Sequence, residues 1–291
     1  MPALRPVLRQ VDDYPALLES CWQEHLAPRV DNAPTVISTF AGCGGSSLGY
    51  SMAGFRELLA VEWDDNAVAT FRLNFPGVPV YHGDIAKLSV DDVLTRTGLQ
   101  PGQLDVFDGS PPCQGFSTAG KRVMDDPRNQ LFREYVRLLQ GLQPKVFVME
   151  NVSGMVKGKM KLIFVDILKE LKASGYQVSA RLLNAMYFGV PQSRERMIFI
   201  GVHNDLGKMP SHPQAWSKPV TVGNAWHGVP SEEAPRLSPK LASIISKIPV
   251  WGDGGDVVGS FFSAKRLSFS QPSRTLIKGS VGSRACYVHP S

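Results

Sequence analysis

The chain has 291 residues, 43% hydrophobic and 20% charged, an ordinary globular composition long enough for one large α/β domain with a small appendage, which argues against a disordered chain. Its 31 basic and 26 acidic residues leave a net charge of +5 and a pI of about 9.0, which suits a phosphate-rich partner without by itself establishing one. The first residues lack the apolar core of a secretory signal, no run reaches the length of a membrane span, and Cys21, Cys43, Cys113 and Cys286 form no CxxC pair, so a soluble cytoplasmic protein without a metal site is expected.

In chain order, Tyr14–Leu26 reads as a helix, followed by the Pro- and Asp-containing link Ala27–Pro34. From Thr35 to Val202 short apolar runs alternate with segments of helical period, the pattern of an α/β fold with a doubly wound, mainly parallel, seven-stranded sheet. Strands are predicted at Thr35–Phe40, Leu58–Val61, Val78–Tyr81, Leu104–Phe107, Lys145–Met149, Gln177–Leu183 and Met197–Val202. Helices are predicted at Asn66–Asn74, Leu131–Leu142 and Leu162–Ala173, the last with Leu162, Val165, Leu168 and Leu171 as its buried stripe. Beyond Val202 the stretch His203–Phe262 turns rich in Pro, Gly, Ser and His, with one helix at Pro239–Lys247. The expected organisation is an N-terminal extension (1–34), a catalytic and cofactor-binding domain (35–202), a small recognition region (203–262) and a return segment (263–291).

The first strand runs into the glycine-rich turn Phe40-Ala41-Gly42-Cys43-Gly44-Gly45-Ser46-Ser47, which opens a helix. Glycines there permit a tight turn and a close ligand approach. Glu62 ends the second strand where an acid would bind ribose hydroxyls, so an adenosine-type cofactor is expected, although a glycine-rich turn alone is also a plain structural device. Trp63 is placed to stack on an adenine or to be a half-buried core aromatic, and Asp84 to accept from the adenine amino group or to be a turn residue. Ser47 stands where a dinucleotide fingerprint has Gly or Ala, which favours S-adenosylmethionine over a nicotinamide.

The fourth strand leads into Asp108-Gly109-Ser110-Pro111-Pro112-Cys113-Gln114. The two prolines fix the backbone ahead of a cysteine at the carboxyl edge of the sheet, where a thiolate would serve as a nucleophile. The fifth strand delivers Glu150-Asn151-Val152 to the same edge. Arg194 and Arg196 flank Glu195 at alternate positions, which reads either as two arginines on one face or as a surface ladder with Glu195.

Taken together, Phe40 to Gly49, Glu62-Trp63, Asp84, Pro111-Pro112-Cys113-Gln114, Glu150-Asn151-Val152 and Gln192-Ser193-Arg194-Glu195-Arg196 resemble, in order and spacing, the motifs of the bacterial DNA (cytosine-5)-methyltransferase family. Arg266-Leu267-Ser268-Phe269 and Gln271-Pro272-Ser273-Arg274-Thr275-Leu276 resemble the motif that follows its recognition region. The resemblance implies Cys113 as nucleophile, Glu150 as a protonated acid at ring nitrogen 3, and Arg194 and Arg196 supporting the carbonyl oxygen and the loop. It implies a cofactor site from Phe40, Ala41, Gly42, Gly44, Gly45, Ser47, Glu62, Trp63, Asp84, Ile85 and Pro112, and substrate contacts from Gln114, Ser117, Asn151 and Gln192. Gly115 to Arg128 resembles the loop that closes over a flipped base. The implied substrate is double-stranded DNA, in a bacterium or phage, acted on by a monomer.

The family's closing Asn-containing motif is not found before Ser291. The expectations are a truncated product, a second polypeptide that supplies the motif, or the Tyr14–Leu26 helix in its place, with truncation favoured. An RNA (tRNA) cytosine methyltransferase shares several motifs, but its Cys-Phe-Thr signature is absent from the recognition region. A non-catalytic DNA-binding relative is the alternative of a different class, and a nicotinamide oxidoreductase, which leaves the Cys113 motif unexplained, ranks behind both.

Overall fold

Seven apolar stretches build one sheet in the computed structural model, which describes residues 8–112, 130–156, 160–227, 239–253, 255–258, 265–275 and 287–288. The strands in chain order are β1 (Thr35–Thr39), β2 (Arg56–Glu62), β3 (Val80–His82), β4 (Val106–Gly109), β5 (Val146–Val152), β6 (Tyr176–Asn184), β7 (Gln192–Ser193), β8 (Glu195–His203), β9 (Lys265–Arg266), β10 (Ser273–Arg274) and β11 (Tyr287–Val288). The sheet runs β3-β2-β1-β4-β5-β8-β6. Its first five strands are parallel, and β8 runs antiparallel to β5, with Val152 opposite Arg196. β1 and β4 are buried along their whole length rather than on alternate residues, as central strands covered on both faces are. The strands open outward from β1 in both directions, which places a crevice at the carboxyl ends of β1 and β4.

The chain divides into two compact units. The larger comprises Ser20–Leu183 and Arg196–Pro213, and the smaller comprises Met1–Glu19, Asn184–Glu195 and Gln214–Ser291. The helices in chain order are α1 (Tyr14–Leu26), α2 (Gly45–Met52), α3 (Asp65–Asn74), α4 (Val90–Thr97), α5 (Gln130–Leu142), α6 (Met160–Ala173), α7 (Val222–Ala225), α8 (Pro239–Ile245) and α9 (Gly255–Val258). In the larger unit α5 buries Phe132, Tyr135, Val136, Leu138, Leu139 and Leu142, with Tyr135 stacked on Phe107 of β4 at 4.9 Å. Gly109 makes that approach possible, since a Cβ there would lie 2.6 Å from the Tyr135 ring.

Two expectations about helices need correction. In α6 the buried positions are Ile167 and Leu171, with Ile163, Phe164 and Leu168 packed beside the core, while Leu162 and Val165 are 54% and 44% exposed. Steps of three residues drift by about 60° each around a helix, so the three steps from Leu162 to Leu171 sweep from solvent to core; the inward line, Ile163, Ile167 and Leu171, follows steps of four. Helix α4 was absent from the expectations, although Ser89 and Asp92 form a capping box that its sequence spells out.

In the smaller unit β7 pairs with β10 in parallel, and the Ser273 N–H donates to the Pro191 carbonyl at 2.8 Å. The Arg274 guanidinium lies 4.6 Å from the Trp251 ring centroid and donates to the Trp251 carbonyl, while Arg266 donates to the Ile248 carbonyl. No helix among the described residues is long and apolar enough to cross a membrane.

Candidate active site

The glycine-rich turn leaves β1 through two left-handed residues, Phe40 (φ 55°) and Gly42 (φ 56°), and enters α2 through a third, Gly44 (φ 94°). Gly44 has no substitute, because a Cβ on it would stand 2.3 Å from the Phe75 ring. The turn is tied down from inside. The Ala41 N–H donates to the Val61 carbonyl at 3.1 Å, and the Gly42 N–H donates to Glu62 Oε2 at 2.8 Å.

Glu62 is a buried acid at the end of β2 whose other oxygen, Oε1, accepts from the N–H groups of Trp63 (2.8 Å) and Asp64 (2.9 Å). A carboxylate has about four acceptor positions, so three amides leave room for one further donor. Asp84 caps the short turn Ile85–Lys87, with Oδ1 accepting from the Ala86 N–H at 3.0 Å. Among the described residues its second oxygen carries no hydrogen bond.

These groups surround a cavity of about 280 Å³ lined by Phe40, Val61, Glu62, Trp63, Gly83, Asp84, Ile85, Pro112 and Leu131. Trp63 is 77% exposed, so it is a wall of the cavity and not a core aromatic. Apolar walls with two acids among them suit a flat ring system attached to a hydroxylated sugar. Ala41, Gly42, Gly44, Gly45 and Ser47 do not line this cavity. Gly42 shapes it through Glu62, and Ser47 is fully buried, its hydroxyl donating to Glu57 Oε1 at 3.0 Å. Ser47 thus serves the interior, because the helix it begins turns its side chain inward.

At the next two strand ends, the Asn151 side chain is buried and its Nδ2 donates to the Pro111 carbonyl at 3.1 Å, tying the end of β5 to the turn after β4. Arg196 Nε lies 2.5 Å from Glu150 Oε1, both side chains being partly exposed. The antiparallel pairing of β5 with β8 brings them together, since Glu150 stands two residues from Val152, which faces Arg196. Arg194 and Gln192 belong to the smaller unit, where the Arg194 N–H donates to Asn184 Oδ1 and Gln192 pairs with Ser273. Cys113, Gln114, Ser117 and the stretch Gly115 to Arg128 lie outside the described residues; in sequence Cys113 directly follows Pro112 of the cavity wall.

Sequence reasoning missed a second set of acids. Asp108 on β4 is buried, hydrogen-bonded by Ser46 and by the Tyr50 hydroxyl (3.2 Å), and burial above all pushes its carboxyl up to about 6. Glu57 on β2 is pushed up to about 7, again chiefly by burial. The available signal was an acid inside each of two apolar strands, facing a helix that carries Ser46, Ser47 and Tyr50.

A doubly wound sheet of this order, with its cavity at the carboxyl edge, is the methyltransferase type of α/β fold. It aligns with the solved structure of an E. coli prophage protein assigned as a DNA modification methyltransferase, at 25% identity and a TM-score of 0.71, covering 89% of this chain and 84% of that one. The family model for C-5 cytosine-specific DNA methylases matches residues 34–247, and the chain belongs to that family. Among bacterial relatives, the type II methyltransferase M.AquIA of Picosynechococcus sp. is 44% identical over 188 residues, covering 62% of this chain and 75% of the relative. The type II methyltransferase M1.HphI of Haemophilus parahaemolyticus is 38% identical over 237 residues, covering 77% and 63%. The chain spans about half the length of several other curated relatives it matches.

Proposed function

We propose that the chain transfers a methyl group from S-adenosylmethionine to carbon 5 of a cytosine swung out of duplex DNA, through a covalent adduct with Cys113. Membership of the C-5 cytosine-specific family carries this reading, and the arrangement of the strand ends supports it. The adenosine would lie in the cavity, its ring against Trp63 and Ile85, its amino group near the free oxygen of Asp84, and one ribose hydroxyl on the remaining acceptor position of Glu62. When bound, the cofactor supplies an electrophilic methyl group.

The Cys113 thiolate would add to carbon 6 of the cytosine, and the electron pair it displaces makes carbon 5 the nucleophile for the methyl group. Loss of the carbon 5 proton to a base then expels the cysteine. Addition sends negative charge toward ring nitrogen 3 and the carbonyl oxygen, where Glu150 would donate a proton and Arg196 would face the developing charge. In the structure these two side chains are already paired, so the base must enter between or beside them. Asn151 fixes the Pro111 carbonyl, and with it the turn that precedes Cys113. Target recognition is assigned to residues 203–262. Reaching the ring requires base flipping, which costs a few kcal/mol.

The test uses duplex DNA in which 5-fluorocytosine replaces cytosine throughout, incubated with the chain and S-adenosylmethionine. Fluorine cannot leave as a proton does, so wild-type protein should form a denaturant-resistant adduct that Cys113→Ala lacks, with methyl transfer to ordinary DNA falling at least about 10³-fold. Absence of the adduct in wild type overturns the mechanism. Adducts with 5-fluorocytosine RNA alone would favour the RNA reading.

A further inference from the structure

Three hydroxyls on the first turns of α2 engage two acids, the buried Asp108 and the partly buried Glu57. Ser46 and Tyr50 hydrogen-bond Asp108, and Ser47 donates to Glu57. Among the described residues, the groups acting on Asp108 are Ser46 and Tyr50 of α2, Tyr135 of α5, Glu57 of β2, and Glu150 of β5, the last with Arg196 of β8 as its partner, while β1 pairs with Asp108 through Ser38. Glu57 has Ser47 on one oxygen and Ser38 of β1 beside the other without hydrogen-bond alignment. Among the described residues, the groups named for either acid are hydroxyls, the Gly109 backbone N–H and other acids, with no cation in direct contact.

That arrangement is costly for an anion and needless for a structural tie. Asn and Gln of the same shape would still accept from these hydroxyls without the charge, since burying an ion without a counter-ion costs more than burying an amide. Two neighbouring ionisable groups held in this way therefore call for something positive nearby. Both acids begin to titrate close to neutrality, so the charge is present at pH 8 and largely gone near pH 5.5.

The cofactor proposed above carries a sulfonium cation before methyl transfer and a neutral thioether afterwards. Because the methyl group must reach a base attacked by Cys113, the sulfur would lie toward Pro112, which lines the cavity and directly precedes that cysteine. Asp108 pairs with Ser38 of β1, two residues before Phe40, or about 7 Å along the strand. It also precedes Pro112 by four residues on its own chain. At this range through protein, a buried charge acts on a cation with little screening by salt.

We infer that Asp108, assisted by Glu57, makes the cavity prefer the cationic methyl donor over its neutral product and so favours product release. Both act through space as electrostatic positioning residues and do not touch the reacting atoms. The inference rests on the S-adenosylmethionine reading and predicts how that site discriminates between the two ends of one turnover.

The experiment is calorimetric titration of the full chain with S-adenosylmethionine and with S-adenosylhomocysteine, without DNA, at pH 8 and pH 5.5. The ratio of the two Kd values isolates the sulfur, because the adenosine and amino-acid groups are common to both ligands. In wild type the preference for the donor should drop about five- to tenfold on acidification. Asp108→Asn should show the reduced preference already at pH 8, and Glu57→Gln a smaller reduction. Circular dichroism checks that the variants fold, and the wild-type pH series requires no variant at all. A ratio that stays constant with pH and in Asp108→Asn, with both ligands bound, overturns the inference alone. Failure of wild type to bind either ligand overturns the cofactor reading and this inference with it.

Discussion

Acids stand on both halves of the sheet's carboxyl edge, but different kinds of group hold them. On the β2–β3 half, Glu62 accepts from three backbone amides, and Asp64 and Asp84 each accept from one as helix caps. Toward β4 and β5, Asp108 is held by the hydroxyls of Ser46 and Tyr50, and Glu150 by the guanidinium of Arg196. Glu57 stands at the start of β2, away from that edge, and has the second kind of partner, the Ser47 hydroxyl. Backbone amides neither titrate nor change rotamer, so the first half is a fixed cradle. Side-chain partners change rotamer, and the Asp108 carboxyl they hold is pushed up to about 6, so the second half is where pH and substitution have their hold.

The largest expected effect is the pH dependence of stability. Burial raises Asp108 from 3.8 to about 6 and Glu57 from 4.5 to about 7, so the folded chain binds these protons more tightly than the unfolded one. Their contribution is fully present below about pH 4 and is lost as pH rises through about 6 to 7, by an amount of the order of 3 kcal/mol per group as an upper figure. Urea unfolding from pH 5 to pH 8 should show this decline, and the double substitution Asp108→Asn, Glu57→Gln should flatten it. A slope of the same size in the double variant would break the contrast between the two halves.

A glycine probes the fixed half. Gly44→Ala combines a left-handed backbone with a Cβ driven into the Phe75 ring and should cost about 2–3 kcal/mol in urea unfolding, by the same amount at pH 5 and pH 8. The smallest effect is expected at the cavity wall. Trp63→Ala removes an exposed ring, so stability should change by less than about 0.5 kcal/mol, while the Kd for S-adenosylmethionine rises about three- to tenfold. A loss of stability comparable to that of Gly44→Ala would mean that Trp63 belongs to the core after all.

The sequence made the parallel part of this fold legible because the apolar pairs Val36-Ile37 and Val106-Phe107 and the apolar run of β5 each lead into motif residues. It also made the cavity legible, since Phe40, Glu62, Trp63, Asp84, Ile85 and Pro112 all line it. What it obscured was direction. Leu162 and Val165 are apolar and helical yet face solvent, and Ser47 sits in the fingerprint yet turns inward. The partnership of Glu150 with Arg196 depends on β8 running against β5, which no local pattern announces. Asp108 and Glu57 escaped notice for a related reason: an acid in an apolar strand gains meaning only from the hydroxyls that a distant helix brings to it.

The division of the chain into two units bears on how such proteins can be recombined. The backbone crosses from one unit to the other after Glu19, Leu183, Glu195 and Pro213, so the smaller unit is assembled from three separate stretches. A hybrid made at a single junction would therefore split the parts of at least one unit between two parents. Transplanting the smaller unit between relatives requires moving Asn184–Glu195 together with the terminal stretches, and that twelve-residue excursion between β6 and β8 is the piece a design drawn from linear sequence would leave behind.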